Sequence, residues 1–258
     1  MKAVLLHLYG PFAIQSYGFC IAVGVVLSFY FLSKDKKLAS LVSYDKLLTC
    51  FQIGFFAAVF GGRLLFFMSN PEQLSSVLDF VWYGGLSILG AIISTIAVLF
   101  LYLKINNINP VLFLDRAAIF APLMEAFGRI GCFMSGCCYG QPTSLPWAIT
   151  YTDPNSKAPL LIGLHPAQLY SALLFFLAFF FLYLFLQHRN SKPGVIFLAY
   201  VSMTSAIRFS TDFLRWDREF SPYVKIFSIS QIIAILIFVC GIIGLLTIFS
   251  CKKNHGSI

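Results

Sequence analysis

The sequence predicts an all-α, polytopic membrane protein with seven transmembrane helices, its N-terminus outside and its C-terminus cytoplasmic. Three observations carry that prediction. Of the 258 residues, 59% are hydrophobic and only 11% charged, with a mean hydropathy of +0.84, which is far from a soluble domain. Seven stretches are apolar over the length a bilayer core of ~30 Å demands, about 20 residues of helix. Basic residues segregate to one side of those stretches. A net charge of +8 would also suit nucleic acid, but no compact basic domain appears. In so apolar a chain, lysine and arginine mark cytoplasmic loops and anionic lipid, so no nucleic-acid partner is expected.

The first span is placed at 14–33. Upstream of it, Gly10-Pro11 interrupts the apolar run that follows Lys2, and Tyr17-Gly18-Phe19 before Cys20 lacks small residues, so neither a cleaved signal nor a lipid-modified Cys20 is expected. The other spans are placed at 47–68, 82–103, 113–131, 165–186, 195–214 and 227–249, the fourth interrupted by Arg129 and the sixth by Arg208. No internal repeat or low-complexity tract divides the chain, so residues 1–258 read as one membrane domain with an external head at about 132–164. Lys34, Lys36, Lys37, Lys46, Lys104, Arg189, Lys192, Lys252 and Lys253 flank the spans on one side. Lys2, Lys157, Arg215, Arg218 and Lys225 flank the other. The positive-inside rule makes the richer side cytoplasmic.

Ionisable residues inside membrane spans are expensive and mark function by default. Arg63 lies five residues before the outer end of the second span, or ~8 Å at 1.5 Å per residue. Arg129 and Arg208 lie near the outer ends of the fourth and sixth. Tyr17, Tyr83, His165, Gln168 and Gln231 lie near the outer starts of the first, third, fifth and seventh. Singly, each reads as a snorkelling side chain or an interfacial belt residue. Together, several arginines at one depth would repel unless an anion sat among them, and a lipid phosphate is the anion at hand. Thr204, Arg208, Asp212 and Arg215 share one helix face, on which an Arg208–Asp212 pair and a substrate role for Arg208 are alternatives. Glu125 and Arg129 repeat that i, i+4 spacing. Gly61-Gly62 and Gly84-Gly85 allow close backbone approach.

The run GRIGCFMSGCCYG at 128–140 holds Cys132, Cys137 and Cys138. A disulfide or simple packing ranks first, because the cluster is expected on the oxidising side. A thiolate activated by the nearby Arg129 ranks second. A metal ranks last, since C-x4-C-C is not a usual ligand spacing. Neither a metal nor a cofactor is expected.

As a set, Tyr17-Gly18, Gly62-Arg63-Leu64, Gly84-Gly85-Leu86, GRIGCFMSGCCYG, the HPAQLY at 165–170, the IRFSTDFLR at 207–215 and the SISQ at 228–231 resemble the prolipoprotein diacylglyceryl transferase family in its cysteine-bearing variant. The resemblance implies a multi-pass enzyme of the bacterial cytoplasmic (inner) membrane. It would move diacylglycerol from phosphatidylglycerol to the lipobox cysteine of a prolipoprotein signal peptide. It implies that Arg129 and Arg208 are the catalytic, phosphatidylglycerol-binding arginines and that Tyr17 and Gly140 stand at signature positions. His165 joins them as a candidate base, and Arg63, Arg215, Tyr83, Gly84, Gly85 and Gln168 join them in holding the lipid.

The departures are specific. The family's usual H-G-G reads Tyr83-Gly84-Gly85, so the histidine at that position is missing. Two asparagines and a carboxylate of the usual signature are replaced where Cys132, Ser135 and Cys137 stand. Asp212 takes the place of a glutamate, and Thr204 that of a tyrosine. The implied reaction needs stabilisation of a phosphate leaving group. It also needs a base or a positive field to ionise a thiol whose free pKa is about 8.5. His165, Tyr83, Glu125 and the arginine field are the candidates. The rival expectations are a diverged lipid-binding paralogue without transferase activity and a thiol-redox membrane protein.

Overall fold

The computed structural model describes residues 2, 4–9, 12–73, 85, 87–186, 191–218, 220 and 226–250. These are mostly helical. Five helices are long and apolar enough to cross a membrane by length and composition: Ser16–Ser33, Tyr44–Ser69, Pro110–Ser135, Ala167–Leu184 and Ile229–Ser250. Leu89–Ile105 is a shorter apolar helix. The chain is therefore a polytopic membrane protein, built as two compact units, Ser33–Phe113 and the remainder.

The unit Ser33–Phe113 holds a single turn α2 (Lys36–Ala39), a long α3 (Tyr44–Ser69) and α4 (Ile88–Ile105). Asp35 starts α2 by accepting the Leu38 N–H at 2.7 Å, and Ser87 caps α4 through the Gly90 N–H, each oxygen satisfying a donor the helix leaves open. Small residues let α3 and α4 touch. A Cβ on Gly61 would strike Ser94, and one on Gly90 would strike the Gly61 carbonyl. Ser94 Oγ reaches across to the Ala57 carbonyl at 2.7 Å.

The other unit begins with a hairpin, β1 (Val4–Tyr9) and β2 (Phe12–Gln15), antiparallel with Val4 opposite Gln15 and Tyr9 opposite Phe12. It continues into α1 (Ser16–Ser33), then α5 (Pro110–Ser135), whose first four residues belong to the smaller unit. The next helix, α6 (Ala167–Phe181), ends in a wider turn at Leu182–Leu186. Then come α7 (Val195–Asp212) and α8 (Ile229–Ser250). The core is aromatic and aliphatic: Ile119, Phe120, Leu123, Phe179, Leu182 and Ile196 are buried together, with Leu27 and Leu32 of α1 against them. Buried Asp115 of α5 accepts the Gly194 and Phe197 N–H groups at 2.6 and 2.8 Å. This carboxylate caps α7 from another helix, because Gly194, at φ +91, offers no side chain to do it.

Two sequence expectations need correction. The chain is not purely α: besides the N-terminal hairpin, β3 (Ile149–Thr150) pairs with β4 (Gly163–Leu164). The head does not start at 132 either, since α5 runs on to Ser135. From Gly136 the head folds around its own small core of Tyr151, Ala158 and Leu164. Burial of Tyr151 is what gives so short a segment an interior.

Candidate active site

The C-terminal half of α5 presents Glu125, Arg129 and Cys132 on one face, at i, i+4 and i+7, over about 10 Å of helix. Glu125 does not pair with Arg129, as its spacing suggested. It reaches across to α7, where its Oε2 lies 3.2 Å from Arg208 Nη2 and its Oε1 accepts the Tyr200 hydroxyl at 2.7 Å. Tyr200 sits eight residues before Arg208 on the face already marked by Thr204. Sequence reading passed it over, although the i, i+4, i+8 pattern would have included it. With Glu125 committed to Arg208, Arg129 is half-buried and makes no ion pair or hydrogen bond among the described residues.

Asp212 likewise declines the partner its spacing offered. It is buried, and it accepts from the Ser228 and Ser230 hydroxyls, the latter at 2.9 Å, while Arg215 Nη1 lies 3.4 Å away. Ser228 and Gln231 form a capping box: Ser228 Oγ accepts the Gln231 N–H at 3.1 Å and Gln231 Oε1 accepts the Ser228 N–H at 3.0 Å. The SISQ stretch is thus the start of α8, latched to the end of α7. Gln231 is fully buried inside it.

Arg215 also pairs with Asp217 at 3.0 Å, and its backbone bridges Gly140. A Cβ on Gly140 would collide with the His165 carbonyl, so this glycine is needed where three backbone segments cross. The His165 ring turns to Tyr170, with Nδ1 3.5 Å from its hydroxyl, which accepts Trp147 Nε1 at 2.7 Å. His165 is therefore occupied within the head and the start of α6.

The cysteine cluster follows from how α5 stops. Gly136 takes φ +73, and the Cys137 N–H bonds back to the Cys132 carbonyl at 3.1 Å. This is the six-to-one bond of a Schellman turn, with glycine at its left-handed position. C-x4-C is the spacing that this turn folds together. Cys138 follows at φ +56, and the three sulfurs lie within 4.8 Å of one another as free thiols. Of the two readings that ranked first in the sequence, a disulfide or simple packing, no disulfide joins them here. Cys137 Sγ lies 3.3 Å from Ser135 Oγ and donates to the Cys132 carbonyl at 3.8 Å, and the Cys132 and Cys138 thiols beside it hold its pKa below the ordinary thiol value. Gln168 ties α6 to this turn, its Nε2 donating to the Cys137 carbonyl at 2.9 Å and to Tyr151 Oη at 3.3 Å. Tyr151 in turn donates to the Phe133 carbonyl at 3.1 Å, and burial pushes its pKa up to about 12.

Tyr17, near the start of α1, meets the same place. Its backbone lies against Gly131, where an added Cβ would come 3.1 Å from the Tyr17 carbonyl. It stands within electrostatic range of Arg129 and of all three cysteines. One unit thus brings together Tyr17, Arg129, the cysteines and Gln168, with the Arg208–Glu125 pair on the same α5 face. In the other unit, the Ser87 N–H bonds the Gly62 carbonyl at 3.0 Å, and Gly85, at φ +148, lies against the Phe66 ring, three residues along α3 from Arg63. Tyr83 and Gly84 lie outside the described residues.

Comparison with known proteins agrees with the resemblance. The family described as prolipoprotein diacylglyceryl transferase matches residues 3–247. A phosphatidylglycerol–prolipoprotein diacylglyceryl transferase of Clostridium tetani is 35% identical over 94% of this chain and 96% of its own length. Proteins of the same name are 31% identical in Dehalococcoides mccartyi, over 82% of each chain, and 28% identical in a Clostridium botulinum strain, over 99% of this chain and 100% of that one. A match over nearly the whole chain, with the polar face of α5 at its centre, places this protein in the prolipoprotein diacylglyceryl transferase family.

Proposed function

We propose that this protein transfers the diacylglyceryl group of phosphatidylglycerol to the thiol of a lipobox cysteine in a prolipoprotein. It would work as one multi-pass domain of the bacterial cytoplasmic membrane, with seven spans, the N-terminus outside and the C-terminus inside. The single observation that carries the site assignment is Arg129: a half-buried guanidinium with no partner among the described residues, beside an arginine already neutralised by Glu125. A phosphodiester suits such a group, because its two free oxygens match the planar donor fork.

In the reaction, the acceptor thiolate attacks the glycerol CH2 that carries the phosphate. A C–S bond forms, the C–O bond breaks with its electron pair on oxygen, and glycerol phosphate leaves. Arg129 faces the charge that develops on the departing phosphate, and Arg208, held by Glu125 and Tyr200, adds a second positive end. Tyr17 closes the site from α1. Gly140 and Gln168 act by positioning, one through backbone crossing and the other through its bond to Cys137. Arg215 anchors the end of α7, and Arg63 with Gly85 offers a lipid contact on the smaller unit. His165 serves the head.

The test is to incubate purified protein with phosphatidylglycerol and a lipobox peptide and to look by mass spectrometry for the diacylglyceryl thioether, with a Cys-to-Ser peptide as control. Adduct on the cysteine peptide alone supports the reading. Phosphatidylglycerol binding without adduct would make this a lipid-binding paralogue instead.

A further inference from the structure

The three-cysteine turn is the one cluster of soft ligand atoms among the described residues, and the chemistry above makes no use of it. We propose that Cys132, Cys137 and Cys138 bind a zinc ion whose fourth position receives the acceptor thiol. The role of that fourth position rests on the transferase reading; the metal site itself does not.

The geometry points there in three ways. Tetrahedral zinc with Zn–S bonds of about 2.3 Å sets its sulfurs about 3.8 Å apart. These sulfurs already lie within 4.8 Å of one another, so rotamer adjustments of about 1 Å close the site. The backbone is fixed beforehand by the Schellman bond, by Gly136 and Cys138 at positive φ, and by Gln168, so ligation orders little further chain. The Gln168 amide, 1% exposed, spends its nitrogen on Cys137 and Tyr151 and leaves Oε1 without a hydrogen-bond partner among the described residues. A spare acceptor beside the cluster suits a metal-bound water, or a backbone N–H of an arriving peptide.

With the acceptor as fourth ligand, charge favours zinc over a monovalent soft ion. Four thiolates and Zn2+ sum to two negative charges, which the Lys157 ammonium and the Arg215 guanidinium within electrostatic range of Cys137 and Cys138 offset, whereas a monovalent ion would leave a third. Three protein ligands leave one position open, as catalytic zinc sites do, and the half-buried Cys137 and Cys138 leave that side of the triangle accessible. The position lies about one helical turn beyond Arg129 on α5.

A thiol that ligates zinc is deprotonated outright, and its proton passes to solvent. The zinc-held sulfur then forms the C–S bond, the glycerol C–O bond breaks toward the phosphate, and the ion keeps its oxidation state throughout. Zinc in this way supplies the ionisation that an acceptor thiol with a free pKa of about 8.5 needs.

The experiment uses the full chain purified in mild detergent. Elemental analysis of zinc-loaded protein is expected to find about one metal per chain, and none above background after Cys132, Cys137 and Cys138 are all changed to Ser. Cobalt(II) in place of zinc reports thiolate ligands by absorption. Lipobox peptide should add a thiolate to that spectrum, and the Cys-to-Ser peptide should not. Because the triple variant can fail to fold, Cys138→Ser alone, checked by its unchanged melting temperature, should weaken metal binding and alter the cobalt spectrum. Chelation should cut adduct formation at least about 100-fold, reversed by zinc, with phosphatidylglycerol binding retained. Wild-type protein that binds no more metal than the triple variant would overturn the zinc site, full transfer by metal-free protein would overturn the role of its fourth position, and both would leave the transferase standing. A peptide-dependent cobalt spectrum without adduct would keep the site and sink the transferase.

Discussion

Two polar clusters in the same unit follow opposite rules. Where α7 meets α8, Asp212 accepts from Ser228, Ser230 and Arg215, and the capping box of Ser228 and Gln231 uses up the nearby helix donors. Around the C-terminal part of α5, Arg129 and, from α6, Gln168 Oε1 have no hydrogen-bond or ion-pair partner among the described residues, and three thiols stand without a disulfide. A closed network holds helices together, and an open one keeps groups in reserve for a ligand. Both contain arginine and carboxylate at similar sequence spacing, so residue type does not separate them. Satisfaction does.

That contrast can be broken most sharply at Arg129. Arg129→Ala is expected to lower the transfer rate by ~100- to 1000-fold while the melting temperature stays put, because no bond within the fold is lost. Arg129→Lys should recover only part of the rate, since a point charge replaces a fork. Asp212→Ala should do the reverse in kind. It takes the shared carboxylate from two serines and one of two carboxylates from Arg215, and should cost about 3 kcal/mol of stability, seen as a lower melting temperature, with the folded fraction still binding phosphatidylglycerol.

Glu125→Gln tests the border between the clusters. The neutral amide still accepts from Tyr200 but no longer holds Arg208 by charge. Stability should change by less than about 1 kcal/mol, because the Arg208 side chain is 54% exposed. The transfer rate should fall by about tenfold through loss of positioning, at unchanged phosphatidylglycerol binding. Tyr200→Phe removes one interhelical hydrogen bond and should cost about 0.6 kcal/mol, measured by thermal unfolding in detergent.

The sequence spoke most clearly where one physical variable decides. Hydropathy placed helices at 47–68 and 227–249, and the structure has them at Tyr44–Ser69 and Ile229–Ser250. Partner choice was less legible. Spacing on one helix offered Glu125 to Arg129 and Arg208 to Asp212, yet tertiary contacts across α5, α7 and α8 won both carboxylates, because a neighbouring helix presents its donors at shorter range. The fourth span was placed at 113–131, and α5 runs on to Ser135, where Gly136 takes the left-handed turn. The cysteines were seen as a cluster, but C-x4-C looked unlike a ligand spacing until the Schellman turn brought its ends together. Gly140 was expected to meet the lipid, and the crossing of backbones at His165 and Arg215 supplies a packing reason for it.

The most direct test of the account is the rate of thioether formation on a lipobox peptide by wild-type and Arg129→Ala protein, purified side by side and matched in melting temperature. The account predicts adduct from the wild type and a loss of at least ~100-fold in the variant. Equal rates from the two proteins would contradict it.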